Sequence, residues 1–222
     1  MDIDSVREAW LRNMPVEARL WLAHIDKRAQ EIVDAYSAQR MPLFEIGELL
    51  FNVCSYLNWL AHIHFREDRY VPERDHPKGK DIISFLQEVT RWPVGACEAF
   101  WFCVRNPVMH TGRSSLFADY GRKSSDGWKM VADLHPNLAF DPAQISPDQF
   151  SIGEQDGFFA LPDPETPDQA MYWFYFPGIR RKLEDALNAV IAGIENADRQ
   201  SVLGLDKINM KTLAFRVSGA SE

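Results

Sequence analysis

Long apolar runs are missing from this 222-residue chain. Polar or charged side chains interrupt its hydrophobic stretches every few residues, and no stretch approaches the roughly 18 residues needed to cross a bilayer, so a membrane-spanning helix is not expected. The opening "MDIDSVREAW" is acidic and lacks the basic, then apolar, then small-residue order of a signal peptide. Cysteine is scarce: Cys54, Cys97 and Cys103 are all there are, far apart and among apolar neighbours. That odd, scattered set reads as reduced core residues of a cytoplasmic protein, not as a disulfide frame or a zinc site. No carboxylate cluster or His/Cys set has metal-ligand spacing, and "HPKGK" near residue 80 is a turn with two lysines rather than a phosphate loop. Internal repeats and low-complexity tracts are absent as well.

What is present is core-forming material. A hydrophobic fraction of 46% and an aromatic fraction of 12% describe an ordered chain, and its length suits a single domain spanning residues 1–222. The formal net charge of −8 looks unfavourable for binding nucleic acid. Its distribution removes that objection. Residues 141–176 hold seven acids and no Lys or Arg, which leaves only −1 on the rest of the chain. Residues 105–123 carry Arg105, Arg113, Arg122 and Lys123 against Asp119 alone.

Spacing predicts a mainly α fold. Leu22, Ile25, Ala29, Ile32, Val33 and Tyr36 form one stripe of a helix over about 16–39, with Pro15 as its leading residue. A longer and more central helix is predicted over about 42–67, on Ile46, Leu49, Leu50, Val53, Leu57, Leu60, Ala61 and His64. A shorter one follows over about 81–91, with Ile82, Leu86 and Val89 aligned, and a fourth runs from about Gly95 into Arg105. The last long helix, about 177–197, aligns Ile179, Leu183, Leu187, Val190, Ile191 and Ile194 and completes the bundle. Between residues 114 and 176 glycines and prolines break the text into an irregular insertion. There "GWKMVADL" and "DGFFAL" read as strands or loop segments, and "MYWFYF" is too short to type. The tail from Ser201 has no decided type.

The stretch "VRNPVMHTG", residues 104–112, follows the aromatic run "CEAFWFCV". Asn106–Pro107 is a break point, because proline disfavours helix in the residue before it and cannot donate its own backbone hydrogen bond. Asn is a good N-cap and proline suits the first position of a new helix, so one helix ends near Arg105 and another turn begins at Pro107. Such a break lets Arg105 and His110 converge, whereas an unbroken helix would set them about 140° apart.

Arg105-Asn106-Pro107-Val108-Met109-His110 resembles the R-x4-H signature, with Asn after the Arg, of the HEPN superfamily. The resemblance covers the bundle, roughly 16–112 and 177–198, and leaves the insertion at about 114–176 unmatched. It implies a HEPN-like helical bundle and metal-independent, cofactor-free cleavage of RNA, with the motifs of two protomers meeting at a homodimer interface. It also implies a toxin or phage-defence role, with an antitoxin or other regulatory protein as a partner. Carried over, His110 would be general acid or base, Arg105 would hold the scissile phosphate, and Asn106 would fix either of them or cap the helix. Arg113, Arg122 and Lys123 are the candidate RNA contacts. One subfamily has a modifiable tyrosine two residues after the His; Gly112 stands there in this chain.

Plainer readings compete for the same residues. Arg105 and His110 could be a bundle-end ion pair and a packed histidine on a non-catalytic nucleotide-binding or scaffold protein. His62 and His64 diverge on a helix and make a poor metal pair, and His64 fits a hydrogen-bonded core position. The aromatics Phe100, Trp101 and Phe102 suit a core or an interface. The acidic stretch is either an ordinary solvated insertion or a lid that competes with RNA for the basic segment.

Overall fold

The computed structural model describes residues 2–40, 43–65, 79–92, 97, 100–101, 137–139, 158–162 and 170–206. Within these the fold is mainly α: a helical bundle with a small three-stranded sheet placed before its last long helix.

Helix α1 (Ile3–Ser37) starts at Ile3, not near Val16. Asp2 caps it, accepting from the Asp4 backbone N–H at 3.3 Å and from the Ser5 hydroxyl at 2.8 Å. Pro15, expected to lead the helix, lies inside it and is buried. An interior proline costs about 3 kcal/mol, since it leaves the carbonyl four residues back without its N–H partner. The apolar stripe explains why the helix continues: Trp10 and Met14 before the proline and Ala18, Leu22, Ile25, Ala29 and Ile32 after it are all buried along one face. Near its end that face runs through Ala35, so Tyr36 stands 39% exposed and off the stripe. The helix closes in a Schellman turn. Arg40 donates its backbone N–H to the Ala35 carbonyl at 2.8 Å, Gln39 donates to that of Tyr36 at 2.9 Å, and Gln39 takes φ 55°.

Helix α2 (Leu43–His64), expected to be central, packs against α1, α3 (Gly79–Thr90) and the last long helix, α4 (Phe176–Glu195), but it shares that place with α4, which also touches α1 and on which α3 mainly rests. Its expected stripe is buried at Leu49, Leu50, Val53, Leu57, Leu60 and Ala61, and Cys54, Tyr56 and Ile63 widen it. Helix α3 buries Ile82, Leu86 and Val89 as its spacing predicts, together with Ile83 and Phe85. In α4, Ile179, Leu183, Leu187, Val190 and Ile194 face the core, while Ile191 falls beside it, half-buried.

A fifth helix, α5 (Arg199–Asp206), occupies a stretch the sequence left untyped. Asp198 caps it, its carboxylate accepting the Ser201 backbone N–H at 2.7 Å. Val202 and Leu205 are fully buried, and α5 packs on α1. The Arg7 guanidinium of α1 donates to the Ala197 carbonyl at 2.7 Å, holding the α4–α5 corner against the start of the chain.

"MYWFYF" resolves as strand. β3 (Ala170–Tyr175) is the middle of the sheet, parallel to β1 (Asn137–Ala139) and antiparallel to β2 (Phe158–Pro162), and it runs straight into α4 at Phe176. Pro162 closes an edge strand, a place where a missing N–H donor is tolerated. "GWKMVADL" lies outside the described residues.

Candidate functional site

The described structure leads up to the motif through the end of α3. Thr90, fully buried, donates its hydroxyl to the Leu86 carbonyl at 2.6 Å and accepts the Trp92 backbone N–H at 3.2 Å. Arg91 between them takes φ 63°, and its N–H reaches back to the Gln87 carbonyl at 3.0 Å, a left-handed helix end. This turn drives Trp92 into the core, where its ring lies 5.6 Å from that of Phe100. Cys97 donates its thiol to the Trp92 carbonyl at 3.8 Å. Cys97, Phe100 and Trp101, the described residues of the aromatic run, are buried, as its composition suggests for them.

Arg105, Asn106 and His110 lie outside the described residues, as do Cys103, Phe102 and the candidate RNA contacts Arg113, Arg122 and Lys123. The fourth helix expected over 95–105 is described only at Cys97, Phe100 and Trp101, and the acidic stretch only where it forms β2 and β3.

His64 packs edge-on against Phe65 at 5.0 Å and beside Phe85 at 5.1 Å. Its Nε2 is 3.8 Å from Glu88, and its side chain keeps 27% exposure, so it borders the core rather than filling it. Among the described residues no three His, Cys, Asp or Glu side chains are grouped so as to hold a metal ion.

Ion pairs tie several cations of the described residues to neighbouring acids. Arg28 bridges Glu31 of its own helix at 2.6 Å and Glu48 of α2 at 2.9 Å. Arg40 meets Glu45 at 2.7 Å, at the joint between α1 and α2. Arg180 of α4 donates to Asp26 of α1 at 2.7 Å and lies 3.4 Å from Glu184. Burial works against the Arg180 charge, but the Asp26 and Glu184 carboxylates outweigh it and hold the guanidinium above its ordinary range. Charges spent in this way lock helices together and are poorly placed to meet phosphate.

One cluster was not singled out in the sequence. Trp21, Tyr56 and Trp59 meet between α1 and α2 with ring centroids 5.6, 5.7 and 5.9 Å apart, and Trp21 donates its indole N–H to Asn52 at 3.3 Å. The Tyr56 hydroxyl and the Trp59 indole nitrogen are buried without a hydrogen-bond partner among the described residues. Burial pushes the Tyr56 phenol far above its ordinary value, with Arg180 drawing it down and Glu184 up. Tyr56 is therefore a neutral packing residue at physiological pH. Its signal in the sequence was only an aromatic on the flank of the α2 stripe.

Comparison of the chain with protein-family models, with curated proteins and with solved structures finds no match.

Proposed function

We propose that this chain is a metal-independent endoribonuclease of the HEPN type, a toxin or antiphage effector that acts in the cytoplasm and cleaves RNA with Arg105 and His110 at a homodimer interface. The observation that carries the reading is the Arg105-Asn106-x3-His110 motif, which follows by a few residues the buried aromatics Phe100 and Trp101 in a chain whose fold is a helical bundle. The Asn106–Pro107 break supports it, because such a break is what allows an arginine and a histidine five residues apart to share one phosphate.

In this reading His110 takes the proton of a ribose 2′-hydroxyl, whose oxygen attacks the adjacent phosphorus. The bond from phosphorus to the 5′-oxygen breaks, and that oxygen receives a proton from the partner copy's motif. Cyclic phosphate and 5′-hydroxyl ends result. An imidazole with an ordinary pKa near 6.5 suits both proton transfers at neutral pH. Arg105 neutralises the charge that builds on the phosphoryl oxygens, and its planar, permanently charged fork fits that task. Asn106 orients Arg105 or the phosphate, and Arg113, Arg122 and Lys123 hold the RNA backbone on either side.

Inducing the protein in a host tests this directly. Wild type is expected to arrest growth and leave broken RNA, while His110→Ala and Arg105→Ala, purified and shown to melt like wild type, do neither. In the purified system the loss expected for His110→Ala is about 10²–10⁴-fold in cleavage rate, and EDTA leaves the wild-type rate unchanged. A folded His110→Ala variant that cuts RNA as fast as wild type would overturn the catalytic role given to the motif. RNA bound but never cut by wild type would favour a non-catalytic binding or scaffold protein on the same bundle.

A further inference from the structure

No further inference is drawn: the strongest candidate, the outward face of α1 where Val16 and Leu20 stand one turn apart and each 54% exposed, is an unpartnered apolar face, and nothing in the structure shows what covers it.

Discussion

Thr90 is the residue on which the end of α3 turns. Its hydroxyl serves two backbone groups at once in a site with no exposure, the Leu86 carbonyl and the Trp92 N–H. Thr90→Val keeps the shape and removes both of these bonds in a site without exposure. A loss of about 1–3 kcal/mol in urea unfolding is expected, with Thr90→Ser retaining most of the stability. Equal losses for Val and Ser would show that the methyl group, not the hydroxyl, matters. Tyr56 makes the opposite case, a buried hydroxyl with no partner among the described residues. Burial raises its pKa above the ordinary value near 10, so the fold holds the phenolic proton more tightly than the unfolded chain does. The stability linked to this group is complete below about pH 10 and is lost as pH climbs through the folded value. Tyr56→Phe is expected to flatten that alkaline decline and to change little at pH 7. A variant with the same alkaline slope as wild type would show that other groups cause the decline. Neither role is visible in the sequence, where Thr90 ends an apolar stripe and Tyr56 is one aromatic among several.

At the scale of elements, periodicity located what it could reach. The stripes of α2, α3 and α4 are legible because each buries residues at helical spacing against more than one neighbour, and the structure buries nearly all of those positions. The misses have local causes. α5 spans eight residues, Arg199–Asp206, too few for a periodic signal, and its one clear mark is Asp198 three residues before Ser201. β3 was ambiguous because six consecutive apolar residues carry no period, and only its pairing with β1 and β2 decides it. Pro15 misled for a sounder reason: proline is a good first-turn residue, and here a buried stripe on both sides carries the helix past it. Pro15→Ala returns a backbone donor to the middle of a 35-residue helix, and it is expected to raise the stability by about 1–3 kcal/mol. A lower urea midpoint in the variant would mean that the buried ring contributes more through packing than the missing hydrogen bond costs.

For the whole molecule, the bundle and the proposed chemistry draw on different parts of the chain. Several cations of the described residues are held by acids of the bundle: Arg28 by Glu31 and Glu48, Arg40 by Glu45, Arg180 by Asp26. The basic residues assigned to RNA come instead from 105–123, a stretch nearly free of acids in a chain of net charge −8. The fold class was legible because burial patterns are periodic. The proposed site was legible only as a motif, because in the proposal its meaning depends on two side chains converging and on a second copy of the chain. The proposed composite site makes that dependence measurable. If two protomers each supply an Arg105 and a His110 to one reaction, activity belongs to the pair, and random exchange of wild type with an equal amount of His110→Ala leaves only about a quarter of the dimers intact. Cleavage per wild-type chain is then expected to fall by about half on mixing at equal amounts, and to fall further as the inactive variant is added in excess. Purified wild type is likewise expected to lose specific activity on dilution, as dimers separate into protomers with half a site each. If mixing leaves the rate per wild-type chain constant after subunit exchange has been verified with labelled protein, each chain cuts alone and the shared site is wrong, even with Arg105 and His110 still required. If mixing lowers the rate while Arg105→Ala alone keeps it, the pairing stands and the phosphate contact must be sought at another cation of 105–123.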